Sequence, residues 1–149
     1  MFTNGVKFYQ KALVFHPTGE RLLALKRRDD DSSAAGQWDL PGGGIEFGEL
    51  HLPALAREIR EETGLAIVAP RVVEVMTKFD TTQQIYSIFV AHHCRATDDA
   101  VSLSAEHTAY CWVTVAEWQQ LDAPEALHRV VNIYAQAHAK LFDLASNQP

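Results

Sequence analysis

The most constraining feature of this chain is a glycine-rich stretch that leads into one well-bounded helix. The sequence LPGGGIEFGE, residues 40–49, contains three consecutive glycines, which allow the backbone to approach a neighbouring group closely. Over residues 52–63 apolar residues recur at helical spacing, Pro53 is tolerated in a first helical turn, and Gly64 provides a C-terminal stop. The expected apolar stripe consists of Leu52, Leu55, Ala56 and Ile59. We therefore expect an open loop followed by a helix that packs along one side.

The predicted helix contains the acidic sequence REIREET. Glu58, Glu61 and Glu62 lie at positions i, i+3 and i+4, so their carboxylates share one face and repel one another unless a cation lies between them. Carboxylates without histidine or cysteine partners favour a hard cation such as Mg²⁺ or Mn²⁺ over zinc. Glu46 and Glu49 add carboxylates just before the helix. Loop and helix together therefore predict an acidic metal site.

The two segments also follow a single spaced pattern. Gly43 is followed after five residues by Glu49, and after seven more by the run REIREETGL, residues 57–65. This pattern resembles the Nudix box at every defined position, and the preceding GQWDLPGG is similar to many members of the Nudix hydrolase family. The resemblance implies an α/β (α+β) fold, a Nudix-like α/β/α sandwich with a mixed β-sheet between helices.

The resemblance also implies an enzyme, a pyrophosphohydrolase that uses Mg²⁺ or Mn²⁺. Its substrate would be a small nucleotide-like molecule with a diphosphate linkage, namely a nucleoside triphosphate, a nucleotide sugar, ADP-ribose or a dinucleoside polyphosphate. A bound metal ion would neutralise the diphosphate oxygens and lower the pKa of a coordinated water. The sequence does not distinguish among these substrates, because specificity lies in loops and strands outside the box.

Roles for residues of the box are implied by the same resemblance. The expected metal-site residues are Gly43, Glu49, Glu58, Glu61 and Glu62. One of the three helix glutamates is expected to serve as the catalytic base or to orient it. Arg57 is expected to pair with acidic groups and to fix the loop against the helix, because a guanidinium binds a carboxylate through two hydrogen bonds. The alternative for Arg57 is an ordinary surface ion pair that contributes little.

Four residues outside the box are further candidates. Glu106, in the sequence SAEHTAYCWV, is a candidate for an additional metal ligand or general base, and its alternative is an exposed loop glutamate. Arg27 and Arg28 end a predicted strand and point to opposite faces, so at most one of them is expected to bind a substrate phosphate. Trp38 is expected either to stack on a nucleobase or to pack beneath the glycine loop.

The rest of the chain alternates predicted strands with a few helices. We expect strands over residues 6–16, 20–28, 65–79, 84–94 and 108–115, a short helix over residues 116–121, and a C-terminal helix that begins near Pro124. The first two strands are expected to form a hairpin across a Pro-Thr-Gly turn. This order indicates a mixed sheet layered with helices in one domain, residues 1–149.

Composition and charge exclude several classes of protein. The net charge of −6 argues against binding to a nucleic acid polymer or an anionic membrane, since both normally meet a basic surface. No apolar run approaches the roughly 20 residues that span a bilayer, and the first residues lack the pattern of a signal peptide, so we expect a cytoplasmic location. The cysteines, Cys94 and Cys111, are too few for a disulfide framework.

Other functions stay open at this point. A non-hydrolytic Nudix-fold nucleotide-binding or sensor module would be expected to lose metal carboxylates, whereas Glu58, Glu61 and Glu62 are all present. A Nudix-like isomerase, or a glycosyl hydrolase that acts on nucleotide sugars, is a further alternative, and the latter would be expected to depart from the box. The sequence allows a homodimer as well as a monomer, because the apolar surface of a dimer has the same pattern as a core.

Overall fold

Six strands and three helices form in the part of the chain that the computed structural model describes, residues 5–30 and 34–146, with side chains described as far as residue 139. The elements in chain order are β1 (Gly5–Phe15), β2 (Leu22–Arg27), β3 (Trp38–Asp39), α1 (His51–Thr63), β4 (Ile67–Asp80), β5 (Ile85–Ala96), β6 (His107–Val113), α2 (Val115–Trp118) and α3 (Glu125–Ser146). Each strand and helix predicted from the pattern has a counterpart here, with ends shifted by a few residues. None of the helices in these described ranges has the length and apolar character required to cross a bilayer.

The sheet is mixed, and its strand order is β3-β2-β1-β5-β4, with β6 also paired to β2. β1 runs parallel to β5 from Gly5 opposite Ile85 to Phe15 opposite Arg95. β4 and β5 form an antiparallel hairpin, and at its turn the Asp80 carboxylate accepts hydrogen bonds from two backbone N–H groups. The predicted α/β (α+β) sandwich with a mixed sheet is therefore confirmed.

The predicted hairpin of the first two strands is only partly correct. β1 and β2 are antiparallel and pair where Phe15 lies opposite Leu22, but beyond that point they diverge. β1 instead has β5 on one side and residues 41–44 on the other, where the N–H of Gln10 donates to the Gly43 carbonyl at 2.9 Å. Because these partners occupy both edges of β1, β2 pairs with β3 and β6. The glycine loop is thereby held along the edge of β1.

The hydrophobic core lies on both faces of the sheet. On one face Leu55 and Ile59 of α1 pack in a cluster with Val14 and Leu23. On the other face α3 contributes a second cluster that consists of Leu127, Val130, Val131 and Tyr134 with residues of β1, β2 and β5. Alternation along β1 directs even-numbered residues to α1 and odd-numbered residues to α3. The sheet therefore separates an α1 side from an α3 side.

The ends of α1 explain how the acidic helix is placed. Pro53 lies in its first turn, and Gly64 ends it in the left-handed conformation with φ of 74°, where its N–H donates to the Arg60 carbonyl at 2.8 Å. The expected apolar stripe needs one correction: Leu52 is 37% exposed, whereas Ala54 is fully buried. Leu52 lies in the first turn, before the helix reaches the sheet.

Candidate active site

The glycine loop fits tightly between β1 and α1. Gly42 has φ of 129°, and a Cβ atom at this position would collide with the Gln10 carbonyl oxygen. A Cβ atom on Gly43 would collide with the Glu58 carboxylate. Gly42 therefore lets the loop approach β1, and Gly43 lets it approach α1. By contrast, a Cβ atom on Gly44 would meet nothing within 4 Å.

Glu62 is the most buried carboxylate of α1. It is 6% exposed, and its Oε2 accepts a hydrogen bond from the Gly42 N–H at 2.8 Å. Burial raises the pKa of Glu62 to about 7, although the charge of Lys11 and the Gly42 hydrogen bond act in the opposite direction. A nearby cation would stabilise the ionised form of this carboxyl group and so oppose the effect of burial on its pKa.

Arg57 binds carboxylates of both the loop and the helix. Its Nε and Nη2 donate to the two oxygens of Glu49 at 2.7 and 2.9 Å, and its Nη1 donates to Glu58 at 2.8 Å and to Glu61 at 3.2 Å. Hydrogen bonding to Arg57 lowers the pKa of Glu49 to about 2, and hydrogen bonding to Glu49 and Glu58 raises the pKa of Arg57. Since Glu49 belongs to the loop and the other two belong to α1, the guanidinium fastens the loop to the helix.

The three helix glutamates are not equivalent. Glu58 and Glu62 reach Gly43 and Gly42 respectively, whereas the side chain of Glu61 is 59% exposed and contacts Arg57. The expected common face therefore holds for Glu58 and Glu62, one helical turn apart, and only loosely for Glu61. Both carboxylates that reach the loop meet consecutive glycines of the same short segment.

The atoms around this segment fit a hard divalent cation. The Glu58 and Glu62 carboxylates and the Gly43 carbonyl supply oxygen atoms alone, and that carbonyl has a second lone pair besides the one used by Gln10. Within the described ranges no three histidine, cysteine, aspartate or glutamate side chains converge on one point. Mg²⁺ needs only one or two carboxylates, because it keeps several waters and binds substrate phosphates.

A cleft of about 320 Å³ opens on the α3 side of the sheet. The rings of Tyr9 and Phe89 stack in its wall with centroids 5.1 Å apart, and Leu127 of α3 lies across from them. Lys11, Arg27 and Asp39 supply its charged groups. A larger hollow of about 460 Å³ between β5 and α3 lies at the opposite end of β1, near Phe15. The expected metal-site residues line neither space, but the cleft contains Lys11, which contacts the glycine loop.

Asp39 is the centre of a buried ion cluster between this cleft and the loop. Its Oδ2 accepts hydrogen bonds from Lys11 Nζ and from Arg27 Nη1, both at 2.8 Å, and its Oδ1 accepts one from the Leu40 N–H at 2.8 Å. Burial acts to raise the pKa of Asp39, but the two cations outweigh it and the pKa is lowered. Lys11 Nζ also donates to the Gly42 carbonyl at 2.9 Å. One chain of contacts thus joins the cleft to Glu62.

The two candidate arginines differ in position. Arg27 lines the cleft, while Arg28 lies outside it and binds the Asp30 carboxylate through two hydrogen bonds of 2.9 Å. Arg28 also donates to the Ala105 carbonyl at 3.3 Å. Of this pair, only Arg27 is therefore placed to contact a molecule in the cleft.

Trp38 and Glu106 also lie outside the cleft. Trp38 packs against the α3-side cluster, and Lys26 Nζ lies 5.9 Å from the centroid of its ring. The ring of Trp38 therefore contacts the α3-side cluster and does not line the cleft. Glu106 is exposed just before β6, where its backbone carbonyl accepts a hydrogen bond from the Arg28 N–H at 3.2 Å.

The sequence reasoning missed the residues that build the cleft and its ion cluster. These residues are Tyr9, Lys11, Asp39 and Phe89. The sequence does contain a signal for Lys11. This lysine directly precedes the apolar strand end ALVF, where a buried charged side chain requires a partner. Asp39 directly precedes the LPGGG run, and its negative charge makes it a candidate ion-pair partner for Lys11.

Comparison with known proteins gives consistent matches. The family model of the NUDIX domain matches residues 10–132. A protein named nucleoside triphosphatase NudI from Enterobacter sp. (strain 638) is 39% identical over 113 residues, which cover 70% of this chain and 80% of that relative. A nucleoside triphosphatase NudI from Escherichia fergusonii is 31% identical over 120 residues, which cover 74% of this chain and 85% of that relative.

Solved structures share the fold. A MutT protein from Methanosarcina mazei Go1 superposes with a TM-score of 0.77 at 27% sequence identity, covering 93% of this chain and 99% of that one. The NUDIX domain of Shewanella oneidensis NrtR, solved in complex with ADP ribose, has a TM-score of 0.75 at 16% identity and covers 91% of this chain and 90% of that one. The second likeness is one of fold.

Proposed function

The chain belongs to the NUDIX family of hydrolases, and from this premise we propose that it hydrolyses a phosphoanhydride bond of a nucleoside triphosphate with Mg²⁺ or Mn²⁺ as its metal. Its relatives make it a pyrophosphohydrolase. The observation that carries the proposal is the pair of carboxylates, Glu58 and Glu62, packed against two consecutive glycines. Lys11, which lines the cleft, donates a hydrogen bond to the first of these glycines.

The residues around the glycine loop have distinct proposed roles. Glu58, Glu62 and the Gly43 carbonyl would hold the metal ion, which when bound neutralises phosphate oxygens and lowers the pKa of a coordinated water. Arg57 holds Glu49 and Glu58 in place through hydrogen bonds of 2.7 to 2.9 Å. These contacts fix the carboxylates before a substrate arrives, so little reorganisation is needed during the reaction.

The hydrolysis requires a group that accepts a proton from the attacking water. The water oxygen forms a bond to phosphorus as the bridging P–O bond breaks, and the freed phosphate or pyrophosphate leaves with its electron pair. Glu61 and Glu106 are the proposed acceptors, because both carboxylates are exposed to solvent. Of the two, Glu61 is preferred, because it contacts the same Arg57 guanidinium as the proposed metal ligand Glu58.

The cleft supports a nucleoside as the organic part of the substrate. Its volume of about 320 Å³ lies at the lower end of the range for small-ligand sites. Tyr9, which is 40% exposed and whose ring stacks on the buried Phe89, offers a face for a planar base. Arg27 is proposed to contact polar groups of the substrate. Relatives named nucleoside triphosphatase make a nucleoside triphosphate the first choice among the substrates expected from the sequence.

A substrate panel tests the proposal. The protein is incubated with Mg²⁺ and nucleoside triphosphates, a nucleotide sugar, ADP-ribose or a dinucleoside polyphosphate, and the release of phosphate and pyrophosphate is measured. We expect turnover of at least one nucleoside triphosphate and loss of that turnover in excess chelator. If no substrate is hydrolysed while a nucleotide still raises the melting temperature, the chain is a non-hydrolytic binding module.

Three broader assignments belong to the same proposal. The chain is taken as a single domain, because both hydrophobic clusters pack on one sheet and the NUDIX model covers residues 10–132. A cytoplasmic location, as expected from the sequence, is part of the same proposal. The substrate is a small molecule rather than a nucleic acid polymer, in keeping with the net charge of −6.

A further inference from the structure

Lys11 is a buried lysine at the boundary between the cleft and the glycine loop. It lies on β1 with its side chain 12% exposed, and its Nζ is held by the Asp39 carboxylate at 2.8 Å. A lysine is seldom this buried unless its charge is paired. Arg27 already pairs with the same carboxylate, so Asp39 would remain paired without Lys11. Neutralisation of Asp39 alone therefore does not explain Lys11.

The second contact of Lys11 is with the loop itself. Its Nζ donates to the Gly42 carbonyl at 2.9 Å, while the Gly42 N–H donates to Glu62 at 2.8 Å. Both peptide groups that flank the Gly42 Cα are therefore held, one by a cation and one by a carboxylate. The next residue, Gly43, packs against Glu58.

These two contacts restrain a residue that is otherwise free to move. Glycine has more backbone freedom than any other residue type, and Gly42 adopts an unusual conformation. Its φ of 129° is open to glycine but unfavourable for other residues, so without contacts the loop has many alternative conformations. The peptide that joins Gly42 to Gly43 contains the Gly42 carbonyl and the Gly43 N–H, so its rotation would change the backbone angles on both sides and shift the space at Gly43 into which Glu58 fits. The Lys11 hydrogen bond opposes that rotation.

We propose that Lys11 is a positioning residue, which holds the Gly42–Gly43 peptide so that Glu58, Glu62 and the Gly43 carbonyl keep the arrangement required for hydrolysis. The proposal rests on the proposed function of the same site. Lys11 acts through Gly42 and not on the reacting atoms.

Lys11→Met tests this role, with Lys78→Met, an exposed lysine on β4, as the matched control. Amide hydrogen exchange is measured by NMR on the metal-free protein in chelator. We expect exchange at Gly42 to be about tenfold faster in Lys11→Met, since local opening becomes easier, and exchange at Leu13 to be unchanged because the strand stays intact. Lys78→Met is expected to match the wild type at both positions.

Steady-state kinetics at saturating Mg²⁺ provide the second readout. We expect kcat to fall about tenfold in Lys11→Met and KM to change less than about threefold, since the lost contact supports the reacting groups. A general loss of stability would not produce that separation at a temperature where the variant is folded. If Lys11→Met does not fold, the double variant Lys11→Met/Asp39→Asn removes both charges and carries the same expectations.

The outcomes separate this inference from the proposed function. Unchanged exchange at Gly42 overturns the positioning role, and so does an unchanged kcat. Faster exchange at Gly42 in a protein whose wild type hydrolyses no nucleotide supports the restraint by Lys11 and refutes the function, because the exchange measurement needs neither metal nor turnover.

Discussion

Gly42 and Gly43 occupy positions in the candidate active site where a Cβ atom would collide with a neighbouring group. The first is required by its φ of 129° and by the Gln10 carbonyl, and the second by the Glu58 carboxylate. A glycine is therefore required at these two positions for different physical reasons. At Gly43 the obstacle is the end of a flexible side chain, which can move aside at low energetic cost. The consequence of a side chain at Gly43 should therefore fall on the position of Glu58 rather than on the fold.

Gly43→Ala tests that expectation, with Gly44→Ala as the control. The new methyl group displaces the Glu58 carboxylate, and a displacement of about 1 Å in a reacting group can cost about 100-fold in rate. We expect kcat/KM to fall to that extent while urea unfolding shows a change of less than about 1 kcal/mol. Gly44→Ala, where a Cβ meets nothing within 4 Å, should keep activity within about twofold. Equal effects of the two substitutions would contradict the role given to Glu58.

The sequence predicts the acidic cluster but not the different environments of its three glutamates. Helical spacing places Glu58, Glu61 and Glu62 near one another, because that depends on residues of one helix. The burial of Glu62 depends on the Gly42 N–H, which comes from a loop 20 residues away. Spacing within α1 contains no information about that loop. The ion cluster of Lys11 with Asp39 is hidden for the same reason, since the two residues are 28 positions apart.

At the scale of elements, the site depends on how the loop is attached to α1. Arg57 connects Glu49 of the loop to Glu58 and Glu61 of the helix, and its side chain is 24% exposed. Isolated exposed ion pairs contribute little to stability, but a guanidinium that binds several carboxylates fixes their geometry. The main effect of Arg57 should therefore be on catalysis.

Arg57→Met should lower kcat/KM by about tenfold or more, because the loop and the helix lose their shared cation and the carboxylates repel one another. The matched control is Arg60→Met, which removes an exposed arginine from the same helix and should leave kcat/KM within about twofold. NMR titration provides an independent check, since the pKa of Glu49, about 2 beside Arg57, should return towards its ordinary value. A Glu49 pKa that stays low in Arg57→Met would show that Arg57 is not its cause.

Elements were predictable where the pattern is local. α1 has a defined start, stripe and stop within 14 residues, and its bounds agree with those expected from Pro53 and Gly64. The parallel partner of β1 was not predictable, because β5 lies about 80 residues later and alternation along a strand does not name its neighbour. The error in the first hairpin has this origin: a turn brings two strands together but does not set how far they pair.

At the scale of the whole molecule, the packing of α1 on the sheet buries a histidine, His92. His92 lies on the α1 side of β5 at 0% exposure, with its ring centroid 6.5 Å from that of His51 on α1. Burial, the nearby His51 and the neighbouring His93 lower the pKa of His92, so the folded protein resists protonation there.

Stability should consequently decrease as the pH falls below about 6.5. The unfolded chain takes up a proton on His92 near that pH while the folded chain does not, so each pH unit costs up to about 1.4 kcal/mol of the free energy of unfolding for one such group. His92→Leu should reduce the slope between pH 7 and pH 5, as measured by urea unfolding at each pH. Burial also lowers the pKa of His93 and of His107, whereas the raised pKa of Glu62 acts in the opposite direction over this pH range. A residual slope is therefore expected in that variant. An unaltered slope would assign the pH dependence to other groups.

Glu58 and Glu62, held by the glycine loop, are proposed to support metal-dependent hydrolysis of a nucleoside triphosphate. ³¹P NMR of a nucleoside triphosphate mixed with the protein and Mg²⁺ is the decisive measurement, because it identifies which phosphoanhydride bond breaks. We expect the triphosphate signals to be replaced by those of a shorter nucleotide and phosphate or pyrophosphate. They should persist with chelator and with Glu62→Gln, which is expected to fold because its side chain can still accept the Gly42 hydrogen bond. Hydrolysis that continues unchanged in folded Glu62→Gln would rule out the role proposed for Glu62.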